Sequence, residues 1–360
     1  MPPSPTDSRQ AEAFPQLRNT GAAAIANTLA AGTAPAIPQA AKTAVIGLRA
    51  SVLVAAAAYA VALGASAKFH VQASVLDGVP LCLGPAAFLC FYSRLVFPRA
   101  VRLAQGVEAA FIIVVLGLSL ACLSYLGAMA NLPLRDSEMI WAERQLGFDW
   151  LAIMRSLDRW PGVLRLLDWA YATFTSQLIA TVLVLVIARR RSELDRFFVT
   201  FVCATLIAEI ASVLFPTLGP MSTLAGNAEF ANLPTLGRTT ADAVLALRHG
   251  TLKVIDLEAI NGIISFPSLH AAVAVIVPFT LRWSRPLFWP LVMLDGLMLV
   301  SAVPSGNHYL TDVLGGVVVA VLAIAWGRRL QASLDGLLAV IGANVRGALQ
   351  PRAARITPAE

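Results

Sequence analysis

Apolar runs of about twenty residues recur along the chain, and they constrain it more than any other feature. Segments near 44–67, 79–97, 106–130, 169–188, 197–217, 263–281, 287–303 and 308–327 mostly approach the ~20 residues that the hydrocarbon core of a bilayer demands of a helix. The runs predict an all-α integral membrane protein with about eight spans, since a helix closes all its backbone hydrogen bonds internally. Composition agrees, with 58% of the 360 residues hydrophobic and 13% charged, against roughly a quarter charged in soluble chains. This excludes a soluble cytosolic enzyme, a disordered scaffold and a disulfide-stapled secreted domain. Cys82, Cys90, Cys122 and Cys203 all fall inside expected spans without Cys-x-x-Cys spacing, so they read as small apolar residues.

The formal net charge of +6 sits at the flanks of the apolar runs. Lys42 and Arg49, then Arg94, Arg99 and Arg102, then Arg189, Arg190, Arg191 and Arg196, then Arg282 and Arg285, then Arg328 and Arg329 all fall on one side if eight spans are counted. That is the positive-inside pattern. It predicts cytoplasmic termini and places the loops 131–168, 218–262 and 304–307 on the opposite side, periplasmic or otherwise non-cytoplasmic, with a bacterial inner membrane as the expected setting. The basic balance therefore reports orientation and contact with anionic membrane lipids, and no nucleic-acid partner is expected.

Four regions follow. Residues 1–43 read as a disordered cytoplasmic tail without a signal peptide, 44–105 as two accessory transmembrane helices, 106–327 as the six-helix core, and 328–360 as a cytoplasmic amphipathic helix and tail. Charges interrupt 131–168, where Trp141, Leu146, Trp150, Leu151, Met154, Leu157 and Trp160 suit short helices, either lying in the outer interface or capping the bundle. The outer loop 218–262 is far longer than the ~12 to 15 residues of a plain connector, which suggests a lid or a substrate-binding role. Glu209 and Asp295 are mid-span acids. For Glu209 a structural hydrogen bond is the preferred reading over catalysis.

Two of the four histidines fall at outer ends of expected spans. His270 follows Pro267 and Ser268, and Pro267 suits the first turn of a helix, which would set Ser268 and His270 beside unpaired amides that attract phosphate. His308 and Asp312 are four apart, on one helix face, where the carboxylate can accept from one imidazole nitrogen and leave the other free as a nucleophile or base. A metal held by His270, His308 and Asp312 is chemically possible, but no further close-spaced ligand appears, and neither metal nor cofactor is expected.

Pro267-Ser268-x-His270, followed 38 residues later by His308-x-x-x-Asp312, resembles the second and third signatures of the type-2 phosphatidic acid phosphatase superfamily. The resemblance implies a six-helix core over roughly 106–327. It also implies His308 as the nucleophile that forms a phosphohistidine, Asp312 as its orienting group, and His270 as general acid and then base. Three departures stand out. Leu269 replaces the usual Gly, Ala302 stands where the third signature carries an arginine, and the first signature is absent. This pattern is similar to the inositol phosphorylceramide synthase branch, which transfers head groups between lipids. The resemblance thus implies a lipid phosphate or phospholipid substrate, with water or an alcohol such as inositol or a ceramide as acceptor. Ser268, Arg248 and Lys253 are the candidate phosphate-binding residues. A transporter and a non-catalytic lipid-binding protein are the competing readings.

Overall fold

A computed structural model describes residues 101–226, 228–252 and 262–349, all within the unit Thr43–Glu360. The expected tail, the first two expected spans, Lys253 and residues 350–360 lie outside the described residues. Every regular element among the described residues is a helix. In chain order these are α1 (Val101–Met129), α2 (Asp136–Gln145), α3 (Trp150–Leu157), α4 (Pro161–Ala172), α5 (Phe174–Ile187), α6 (Arg191–Leu214), α7 (Pro220–Thr223), α8 (Leu236–Arg248), α9 (Leu269–Leu281), α10 (Arg285–Ser301) and α11 (Leu310–Leu349).

Two of these, α6 and the Leu310–Ser333 part of α11, are long and apolar enough to cross a bilayer. A third span forms if α4 and α5, bent by 47° between them, count as one. Of the eight expected spans, the described residues contain two or three by this measure. The run 263–281 illustrates why. Pro267 bars helical backbone at the residue before it, so only the 13 residues of α9 are helical, fewer than the ~20 a full crossing needs.

α9 is the centre of the bundle. Ala271, Ala272, Val273, Ile276 and Val277 are each 0% exposed, so the helix is apolar all round, as a helix enclosed by others must be. It packs on α5, α6, α10 and α11, and its core neighbours include Leu116, Leu185, Phe198, Met298 and Ala320. Close approach to α11 depends on Gly316, where a β-carbon would stand 2.2 Å from the Ser268 carbonyl oxygen and 2.8 Å from the Ala271 β-carbon. Small residues let membrane helices come together in this way. Gly316→Ala is expected to destabilise the fold by about 1–3 kcal/mol, read as a lower melting temperature in detergent. A melt unchanged from the parent protein would show that this crossing has slack.

The arginines at the far end of the bundle converge. Arg190 lies over Trp283 at 4.6 Å, and Arg282 and Arg328 lie over Phe279 at 4.0 and 5.3 Å. His270 sits at the opposite end of α9.

Two expectations are refined. The helix expected as a separate amphipathic element after 330 is continuous with the last span, because α11 runs 40 residues without a break. No proline interrupts 310–349, and good helix formers carry the backbone on. Between the two readings of 131–168, α3 is a cap packed on the bundle. Trp150 and Met154, each 1% exposed, cluster with Leu164, Met221 and Val303, and the Trp150 indole N–H donates to the Val303 carbonyl at 3.4 Å. Trp141 and Trp160 stay exposed, at 65% and 64%.

Candidate active site

Two turns meet at the end of α9 opposite the gathered arginines. The first ends in Ser268, the N-cap of α9, whose hydroxyl oxygen accepts from the Ala271 N–H at 3.3 Å. Pro267 lies before the cap rather than in the first helical turn, which corrects the sequence reading, while His270 remains beside the amides of the helix start.

The second turn joins α10 to α11 and carries Asn307 and His308. Its shape requires Gly306, with φ of +80° and a β-carbon position only 2.8 Å from the Met221 side chain. α7 and α8 clamp it, with the Met221 N–H donating to Gly306 O and the Gly237 N–H to Ser305 O, both at 3.2 Å. α2 supplies two carboxylates to the same region. Asp136 accepts from the Leu218 and Gly219 N–H groups and, at 2.9 Å, from the Tyr309 hydroxyl. Glu143 accepts from the Leu310 N–H at the start of α11, where the helix end favours an acceptor.

Burial pushes the Glu143 carboxyl up from its ordinary 4.5 to about 7, against the opposing effect of the Leu310 bond, and the neighbouring Asp312 adds to the rise. A raised carboxyl holds its proton in the folded state where the unfolded chain has lost it. Its contribution to stability is therefore complete below about pH 4.5 and is lost as pH rises through about 7. Thermal melts in detergent should show stability falling over that window, and Glu143→Gln should flatten the fall. An unchanged slope in Glu143→Gln would assign it to other groups.

His308 is 2% exposed. Its Nδ1 lies 2.9 Å from the Ser265 carbonyl oxygen, which can only accept, so Nδ1 carries the proton and Nε2 keeps a lone pair. Nε2 is 3.3 Å from both the Ser268 hydroxyl and the Tyr171 hydroxyl. The expected direct bond from imidazole to Asp312 is replaced, since the carboxylate Oδ2 is 3.8 Å from Nδ1. Asp312 instead accepts from the Ser265 hydroxyl at 2.9 Å and the Tyr309 N–H at 2.8 Å. It thus fixes the residue whose carbonyl holds the ring. The expected single helix face is also corrected, because His308 lies in the turn before α11 begins at Leu310, and a backbone oxygen from another loop comes closer to its ring than Asp312 does.

The His270 and His308 ring centroids are 6.2 Å apart. Tyr171 stacks on His270 at 3.8 Å and Phe174 flanks it at 4.4 Å. Both histidines line a cavity of about 440 Å³ that continues between Ile113, Leu120, Leu178 and Phe201. Its wall is mostly apolar, and besides the two rings its polar residues include Ser124, Thr205, Glu209 and Asn307.

The other expected residues part company. Ser268 joins the site. Arg248 does not line the cavity, and its guanidinium donates to the Leu132 carbonyl at 2.7 Å. Arg238 donates to the Ala228 carbonyl. No Lys or Arg lines the cavity among the described residues. Ala302, at the arginine position of the third signature, is 0% exposed within the apolar cluster around Trp150. Asp295, also 0% exposed, does not line the cavity. Glu209 does, and its Oε1 has no hydrogen-bond partner, so the structural bond expected for it is not formed there. Tyr171 and the Ser265 carbonyl were invisible in the sequence. A tyrosine at a span end reads as an interface anchor, and a backbone oxygen carries no residue signal. Among the described residues no three His, Cys, Asp or Glu side chains converge as metal ligands.

A family model described as the PAP2 superfamily matches residues 137–326, more than half of the chain. The chain belongs to the PAP2 superfamily. No curated protein and no solved structure matches it. Membership brings phosphatase- or phosphotransferase-type chemistry. The matched stretch of this PAP2 superfamily protein holds His270, His308 and Asp312, and it leaves α1 outside although α1 lines the cavity.

Proposed function

We propose that this PAP2 superfamily protein is a membrane enzyme that cleaves lipid phosphate esters through a phosphohistidine on His308. The observation that supports this best is the lone pair of His308 Nε2 opening on a cavity shared with His270. Nε2 attacks phosphorus, an N–P bond forms, and the P–O bond to the leaving alkoxide breaks, its electron pair going to oxygen. His270 protonates that oxygen, then takes a proton from water or an acceptor alcohol that attacks the phosphohistidine. Ser268, Tyr171 and the amides at the start of α9 serve as donors to the phosphoryl oxygens, where preorganised donors matter most. Asp312 acts as a positioning residue through Ser265. The apolar stretch of the cavity suits an acyl chain.

Transfer to an alcohol such as inositol or a ceramide is supported by the resemblance to the inositol phosphorylceramide synthase branch, and hydrolysis by the superfamily at large. The gathered arginines at the opposite bundle end favour a periplasmic site in a bacterial inner membrane.

Purified protein in detergent is the test, incubated with labelled lipid phosphates with and without added alcohols. Released phosphate or a labelled acceptor supports the reading. Activity seen only across sealed vesicles supports a transporter, and binding without turnover a lipid-binding protein. Because one histidine must be neutral and the other protonated, the rate should follow a bell-shaped pH profile. A profile monotonic through both limbs, with chemistry rate-limiting, would remove the assigned pair.

A further inference from the structure

One wall of the cavity has a chemistry the histidines do not use. Glu209 is 7% exposed, lines the cavity, and leaves Oε1 without a hydrogen-bond partner. Thr205, one turn away on the same face of α6, and Ser124 on the neighbouring α1 line it too. Each hydroxyl directs its proton to a carbonyl of its own helix at 2.7 Å, Thr205 to Phe201 and Ser124 to Ala121. What remains for a ligand is a carboxyl group, which an approaching cation would hold ionised, and two sets of lone pairs, all of them then acceptors.

A polar group left unpaired in an apolar cavity is unfavourable until a ligand satisfies it. With no Lys or Arg on the wall among the described residues, an anionic phosphate ester would bring further negative charge towards Glu209. A substrate carrying its own cation relieves both problems. An ammonium group offers three donors and no acceptor, the complement of this wall.

We propose that Glu209, with Thr205 and Ser124, binds a protonated primary amine of the substrate, so that the preferred substrate is a zwitterionic long-chain phosphate ester. This rests on the lipid-phosphate reading above and adds a specificity-determining residue to it. A charge-assisted bond of this kind corresponds to about ten- to a hundredfold in kcat/KM.

Two chain-matched phosphate monoesters test it, one of a long-chain amino alcohol and one of its N-acetyl derivative. The parent protein should prefer the free amine at least tenfold, and Glu209→Gln should bring the ratio of the two esters to within about twofold. No preference in the parent protein, or a preference that survives Glu209→Gln, overturns the inference. A second measurement needs neither turnover nor a variant. Dodecylamine should raise the melting temperature of the parent protein in detergent more than dodecanol does, and equal effects would also overturn it. If neither ester is turned over, the lipid-phosphate reading fails, and the amine comparison still decides the role of Glu209.

Discussion

His308→Asn is expected to lower turnover of any phosphate ester by about four orders of magnitude or more, because the nucleophile and its base work as a unit and neither leaves a partial route. Asparagine is smaller than histidine and polar, so it can still donate to the Ser265 carbonyl that now holds Nδ1. The variant should therefore fold, and its melting curve is the control. The decisive readout is covalent. With a labelled lipid phosphate and a rapid base quench, which preserves phosphohistidine, the parent protein should retain label and His308→Asn should not. Label retained by the variant, or turnover within tenfold of the parent, would move the nucleophile elsewhere.

His270→Asn should have the second largest effect, a loss of about two to four orders of magnitude on lipid substrates. Its signature is a dependence on the leaving group. An alkoxide must be protonated as it departs, whereas an acidic phenol leaves unaided, so the loss should shrink on an aryl phosphate. With the second step deprived of its base, label should also accumulate on His308 when the aryl phosphate is used. The packing around His270 comes from Tyr171 and Phe174, so a simple packing defect would depress both substrates alike. Equal losses on alkyl and aryl esters would therefore end the acid assignment.

The two variants probe residues that short-range spacing had already brought to notice. Ser268 and His270 are two apart, and His308 and Asp312 four apart, close enough to be read as short motifs although Ser268 is the cap of α9 and His308 precedes α11. That His270 and His308 line one cavity required α9 and α11 to approach closely at Gly316, which no local pattern encodes. The phosphate-binding arginine shows the opposite error. Arg248 is near Pro267 in sequence, but α8 ends with its guanidinium on the Leu132 carbonyl. Proximity along a chain says little about proximity across a 45-residue excursion. Glu209 was noticed as an acid in an apolar run, and only the packing of α6 against α1 gave it a cavity to face.

By itself the sequence determined that this chain is helical and suited to a membrane, because unbroken apolar runs leave the backbone no hydrogen-bond partners but its own. It also singled out His270 and His308, which line one cavity, through motifs only a few residues long. Tertiary structure alone decided which nitrogen of His308 is free, that Asp312 accepts from Ser265 rather than from the ring, and that Tyr171 stacks on His270. Those outcomes turn on ångström-scale competition among groups 43 to 99 residues apart in sequence. A one-dimensional pattern carries no record of such distances.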